Sequence, residues 1–233
     1  MDRTVLKANA RKQLGGGIFQ TPWLMALLVV LIEGAILSAV SFTGIGTIIL
    51  MGPISYGVSK IFLRLVYGEP IKLETMFDGF KDDFGGTLLL GLMQTIFIFL
   101  WSLLFVIPGI VKSYGYAMAF FIKVDHPDYD WSACLKESDS MMKGHKGELF
   151  VLDLSFIGWV IVSMFTFGIG MLWVAPYMEC TRANFYACLA AQSEGAYASE
   201  PVDPEPFAAQ PEDAQPFADQ PAEPGPAEFD AGD

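Results

Sequence analysis

Between Leu88 and Ile107 the chain carries no charged residue, and after Pro108-Gly109 a second apolar run continues until Lys123, Asp125, His126 and Asp128. About 20 apolar residues is the length at which a helix crosses roughly 30 Å of hydrocarbon. Pro108 has no amide proton and Gly109 tolerates positive φ, so Val106-Ile107-Pro108-Gly109 reads as the end of one helix and the first turn of the next. The charges around Val124 cannot stay in lipid. The stretch from Gln94 to Pro127 is therefore read as a membrane helical hairpin.

Composition agrees with that reading. Of 233 residues, 53% are hydrophobic and only 17% charged, which places the chain in the membrane class rather than among soluble domains. The formal charge of −12 belongs to one segment, because Glu194–Asp233 holds eleven acids and no Lys or Arg. Nothing else forms the basic patch that a nucleic-acid partner needs, so none is expected. The cysteines Cys134, Cys180 and Cys188 show no C-x-x-C spacing and are expected to be reduced packing residues. Lys7, Arg11 and Lys12 ahead of an apolar run, with Ala39-Val40-Ser41 beyond it, imitate a signal peptide. Glu33 interrupts that run and another span follows at once, so it is read as a membrane helix.

Taken in order, Asp2 to Leu14 places Val5, Leu6, Ala10 and Leu14 near one face of a basic helix suited to the headgroup region. Pro22 to Phe42 is the first span, with Trp23 at the interface and Gly34 and Ser38 as a small-residue contact ridge. A second span runs from Ile45 to Val66 around Pro53. Glu69 to Phe84 reads as an interfacial helix with Met76, Phe77, Phe80 and Phe84 on one face. After the central hairpin, Asp130 caps an amphipathic helix that contains Ala133, Leu135, Met141 and Met142. Leu149 to Phe167 is the fifth span, Gly168 and Gly170 make a turn, and Met171 to Ala191 is the sixth. Beyond residue 192 the Pro- and acid-rich composition predicts a disordered tail, 193–233, attached to a membrane domain, 1–192.

The same unit thus recurs three times: an amphipathic segment, a span, a glycine or proline turn, and a proline-bearing span. Its landmarks are Met51-Gly52-Pro53, Val106-Ile107-Pro108 and Val174-Ala175-Pro176. The expected fold is all-α, a polytopic membrane bundle of six transmembrane helices arranged as three repeated hairpins with interfacial amphipathic helices and pseudo-threefold character. Basic residues lie outside the turns near Gly44, Gly109 and Gly168, so both termini are expected in the cytoplasm.

The segments Leu100 to Lys112, Met141 to Lys146, Leu154 to Trp159 and Trp173 to Tyr177 together resemble a bacterial family of multi-pass membrane proteins, the domain of unknown function 975 family. The resemblance spans Met1 to about Gln192 and leaves out the acidic tail. It implies an integral membrane protein of the bacterial cell envelope and assigns no activity or functional residue. A weaker likeness is to the membrane segments that accompany glycerophosphodiester phosphodiesterase domains, although no catalytic domain is present.

Chemistry-bearing motifs are few. Asp125-His126-Pro127-Asp128-Tyr129-Asp130 groups possible metal ligands, but adjacent ligands in one loop seldom converge, and the segment is read as a proline turn with a helix cap. There is no G-x-S-x-G, no G-x-x-x-x-G-K-[ST] and no H-E-x-x-H, so no catalytic residue, metal or cofactor is assigned and no enzyme is expected. What stands out is ionisable groups at membrane depth: Glu33, Lys112, Glu179 and Arg182, with Asp153. Such residues either pair to fix helix register or line a path for an ion or small molecule.

At about 1.5 Å per residue, Glu33 and Arg182 both fall near the midplane and are expected to face each other, with Glu179 beside Arg182 and Lys112 snorkelling to the near outer surface. The expected role is a non-enzymatic structural or accessory component of envelope or lipid processes, with the bilayer and other membrane proteins as partners. A small transporter or pore is the alternative.

Overall fold

The computed structural model describes residues 3–15, 20–41, 45–166, 168 and 170–199, without the side chains of 41, 45 and 194–199. The turn at Gly44 and the proposed tail from 200 onward lie outside the described residues. All regular structure among those described is helical.

The basic segment forms α1 (Arg3–Gln13), closed by Gly15 at a φ of 94°. The first two apolar runs form α2 (Thr21–Ser41) and α3 (Ile45–Val66), the latter continuous through Pro53. A 3-10 turn (Leu73–Phe77) and the single turn α4 (Asp78–Lys81) lead to α5 (Phe84–Leu104), whose cap Asp83 accepts from the Gly86 amide. The returning limb is α6 (Val106–Gly115) and α7 (Ala119–Asp125). Asp130 caps α8 (Trp131–Met141) by accepting from the Ala133 amide, as its position ahead of an amphipathic run requires. Then come α9 (Lys146–Leu154), α10 (Ile157–Phe165) and α11 (Met171–Ser199).

Among the described residues, four stretches are long and apolar enough to cross a membrane: Thr21–Val40, Gly46–Val66, Phe84–Leu104 and Lys146–Phe165. The central reversal comes earlier than Pro108-Gly109. Phe105 alone is extended, and Pro108 sits in the first turn of α6, where a missing amide costs no hydrogen bond. The returning limb is not one helix either, because it breaks at Tyr116–Met118. There Ser138 of α8 donates to Gly115 O at 2.7 Å and accepts from the Met118 amide at 3.2 Å, while Gln94 Nε2 donates to Tyr116 O at 3.3 Å. Side chains of other helices thus replace the lost ladder bonds. At the chain's far end, α11 continues to Ser199, past the boundary at 192 that composition suggested.

Helix α3 is the centre of the packing and touches α2, α5, α7 and α11. Its crossing with α5 brings backbones together: a Cβ on Gly91 would stand 2.6 Å from Gly52 Cα, and one on Gly52 would strike the Thr87 carbonyl. Pro53 meets Gly79 of α4 in the same way. The expected ridge at Gly34 does not form, since a Cβ there would meet nothing within 4 Å. Trp23 is buried against Tyr177, with ring centroids 6.3 Å apart, rather than anchored at an interface. In the 3-10 segment Met76 turns into the core, whereas Phe77 and Phe84, the first residue of α5, are exposed, Phe77 tilted against Phe80 at 6.4 Å and Phe84 stacked on it at 5.8 Å. The short helices rotate these positions onto two faces instead of one.

Burial is graded along the bundle. Leu6, Ala10 and Leu14 of α1 and its end, Ile61 and Phe62 of α3, Met118 and Ile122 at α7, Leu135 of α8 and Phe185 of α11 belong to one buried apolar cluster. Toward the turns the same helices expose apolar side chains, with Phe105 at 68%, Ile107 at 75% and Phe165 at 82% of full exposure. Exposed apolar surface on that scale is what a helix turns toward lipid.

The α3–α5 crossing yields a test. Gly91→Leu should destabilise the protein by about 1–3 kcal/mol through forced separation of two backbones, read as a lower melting temperature in detergent. Gly34→Leu should leave melting unchanged. Equal effects would place the close crossing elsewhere.

Candidate functional site

The charged residues at depth gather between α6, α9 and α11. Arg182 of α11 donates from Nη2 to Asp153 Oδ2 of α9 at 3.2 Å and from Nη1 to Glu179 Oε1, one turn earlier on its own helix, at 3.4 Å. Tyr114 of α6 donates its hydroxyl to the same Asp153 oxygen at 3.2 Å. Three helices therefore meet on one carboxylate. Beside it, Lys112 of α6 donates to Asp139 Oδ2 of α8 at 3.0 Å, and Lys146 at the start of α9 donates to Asp139 Oδ1 at 2.6 Å.

Gly115 makes room for this bridge, because a Cβ there would lie 2.5 Å from Asp139 Oδ1. Burial alone would raise the Asp139 carboxyl, but the hydrogen bonds from Lys146 and Lys112 outweigh it and hold the group below the usual carboxylate range.

Two expectations are corrected by this geometry. Lys112 does not snorkel toward the turn; it points to α8, where Asp139 supplies a charge-assisted hydrogen bond. Arg182 is taken up by Asp153 and Glu179 rather than by Glu33. Glu33 of α2 instead lies within electrostatic range of Glu179 and forms no ion pair or side-chain hydrogen bond among the described residues. Depth along the axis brought Glu33 near this cluster but did not decide which face it presents.

The most completely coordinated charge is one that sequence reading treated only as a helix end. Lys123 of α7, with 4% of its side chain exposed, donates to Asp83 Oδ2 at 2.8 Å, to Pro127 O at 2.7 Å and to Tyr129 O at 2.8 Å. All three ammonium protons are used. The Lys123 bond, then the Gly86 amide, holds the Asp83 carboxyl below its usual range. The signal available in sequence was an acid capping one span and a base closing the next, at the same end of the hairpin.

The remaining polar contacts tie the amphipathic segments down. Gln13 after α1 exchanges both amide hydrogen bonds with Asn184 of α11, at 2.6 and 3.2 Å. Lys60 of α3 bridges Asp78 and Asp82 at 2.9 and 2.6 Å. The Asp125 to Asp130 loop is divided between structural tasks: Asp125 accepts from the Tyr186 hydroxyl at 2.7 Å, His126 stacks on Tyr129 at 4.7 Å, and Asp130 caps α8. Among the described residues no three His, Cys, Asp or Glu side chains converge as metal ligands. Cys134, Cys180 and Cys188 are free, the first two buried.

Residues 103–193 match the model of a family described as a protein of unknown function, DUF975. The matched region covers less than half of the chain. That region starts at the central hairpin turn and ends within α11, a shorter match than the resemblance from Met1 to Gln192 implied. It contains every residue of the two charge bridges, namely Lys112, Asp139, Lys146, Asp153, Glu179 and Arg182, whereas Glu33 and Asp83 lie outside it. No curated protein and no solved structure matches the chain.

Two outcomes follow for the DUF975 region. Arg182→Gln and Asp153→Asn should each cost about 1–3 kcal/mol, with the double variant well short of the sum, while Arg182→Gln and Glu33→Gln should add; melting of wild type, the three single and the two double variants in detergent gives both cycles. For Asp139 the folded-state pKa is the lower one, so its stabilisation is present above about pH 4 and is lost as pH falls through the folded value. The melting difference between wild type and Asp139→Asn should therefore be full at neutral pH and shrink on acidification below about pH 4.

Proposed function

We propose that the protein is a non-enzymatic integral component of the bacterial cell membrane, a structural or accessory element of envelope or lipid processes, built from six spans in three hairpins with both termini in the cytoplasm. The observation that carries this reading is the pairing of the deep charges. Arg182, Asp153, Glu179, Lys112, Asp139 and Lys146 bind one another across helices, which fits a role in fixing helix register.

The hairpin arrangement is supported by an order of contacts that closes on itself. The outward limb of each hairpin packs on the return limb of the one before it: α5 on α3, α9 on α6, and α2 on α11. The amphipathic segments follow the same order, with the 3-10 turn and α4 on α3, α8 on α7, and α1 on α11. Such cyclic order fits a pseudo-threefold bundle of parallel repeats.

A second reading, a small transporter or pore, rests on Glu33. It lies at membrane depth without an ion pair among the described residues, and an intramembrane acid of that kind is a proton or cation site by default.

Two measurements separate these proposals. A cysteine introduced at Thr43 should react with a membrane-impermeant reagent in intact cells, and reaction only after lysis would reverse the topology. Purified protein in sealed vesicles should pass no proton or alkali cation under an imposed gradient. A flux abolished by Glu33→Gln would replace the accessory role with transport.

A further inference from the structure

The face of α5 that continues from Phe97 to Leu104 is bordered at its lower end by a groove of about 450 Å³, lined by Phe97, Lys112, Trp131, Lys136 and Asp139 among others. Above it a second hollow of about 310 Å³ is formed by Leu100, Trp101, Leu103 and Leu104. Lys112 of the lower groove borders both, its ammonium 5.9 Å from the ring of Trp101 in the upper hollow and 5.4 Å from the Tyr116 ring in the lower. The stack of Phe97 on Trp131, at 6.3 Å between centroids, forms an apolar wall of the lower groove.

We propose that this continuous surface is a binding site for an anionic phospholipid, its phosphodiester held by Lys112 and Lys136 and an acyl chain laid along Leu100, Trp101 and Leu104. The assignment rests on the membrane reading above and deepens it.

Charge complementarity selects the occupant. Asp139 is shared between Lys112 and Lys146, so a single carboxylate faces two ammonium groups, and exposed Lys136 brings a third that forms no ion pair among the described residues. Asp130 is within range of Lys136, yet its carboxylate already accepts from the Ala133 amide and the Ser132 hydroxyl. The local excess is positive. Lys112 spends one of its three protons on Asp139 and keeps donors for a phosphate oxygen.

The apolar part matches the same ligand. Leu100 and Leu104 are 58% and 63% exposed, and the eight residues of α5 from Phe97 to Leu104 run about 10 Å toward the turn. A soluble anion would have no use for that face. In the proposed topology Lys136, in the segment between the fourth and fifth spans, stands toward the cytoplasmic side, where anionic lipid gathers basic residues.

The test is retention of lipid by the intact protein, purified in mild detergent and supplied with equal amounts of phosphatidylglycerol and phosphatidylethanolamine, with bound lipid counted by native mass spectrometry. Wild type should retain phosphatidylglycerol preferentially, Lys136→Gln should lower that retention about fivefold, and Lys81→Gln, on a remote exposed lysine, should not. Trp101→Ala should weaken retention of both lipids. Lys136 is exposed, so its replacement leaves melting unchanged and the binding result is not a folding artefact.

Equal retention of the two lipids, or equal losses for Lys136→Gln and Lys81→Gln, would overturn the site. Displacement of phosphatidylglycerol by millimolar inorganic phosphate without loss in Trp101→Ala would also overturn it, reassigning the groove to a soluble anion. Flotation of the full chain with lipid vesicles tests the membrane reading separately. Protein that floats but shows no headgroup preference loses only the site, and protein that does not float loses the membrane reading itself.

Discussion

A backbone break or a charge buried among apolar side chains has no water to bond and is costly unless the chain itself supplies the partners. The fold is organised around that requirement. Where the returning limb of the central hairpin breaks after Gly115, Ser138 and Gln94 arrive from α8 and α5 to bond the freed backbone groups. Where Lys123 enters the base, the capping acid of α5 and two carbonyls of its own loop surround it. Removing one partner in such a setting strands the other, which is why these contacts constrain helix order more than their number suggests.

Packing follows a different rule at each end. At the base, large side chains of α1, α3, α7, α8 and α11 fill a core comparable to that of a water-soluble protein. Toward the turns apolar side chains point outward, while nearer the base α3 and α5 touch through small residues. The contact of Gly52 with Gly91 is the clearest instance, for lipid tails are as apolar as leucine and only close backbone approach favours one helix neighbour over another. Clamps such as Gln13 with Asn184 fasten the amphipathic segments to the base. The two zones meet where the charge bridges lie.

That meeting zone gives the DUF975 region its character. Asp139 and Asp153 each collect donors from two other helices, so α6, α8, α9 and α11 share two carboxylates. A charge network of this kind fits the register-holding role proposed above, because each ammonium or guanidinium in it already has a local counter-charge. The groove beside Lys112 differs in having more base than acid, and the lipid proposal draws its headgroup chemistry from that imbalance.

Much of this was legible in the chain. The apolar run from Leu88 marked a helix, though one that ends at Leu104 rather than Ile107, and Asp130 could be recognised as a cap. Helical spacing set the face of α1 with Leu6, Ala10 and Leu14 but not Val5, which is 53% exposed. Depth also followed from sequence, since position along a helix axis accumulates at a fixed rise per residue. Azimuth did not, and it decided the partners. Each residue also turns the helix by about a third of a revolution less a little, and which neighbour lies at that angle depends on how the helices cross. Arg182 therefore met Asp153 instead of Glu33, Lys112 turned inward to Asp139, and Gly34 faced open space while Gly52 and Gly91 came together. Sequence by itself determined which segments are helical, apolar or charged; only the tertiary structure decided which charges pair, because pairing is a property of the crossing between helices and not of either helix alone.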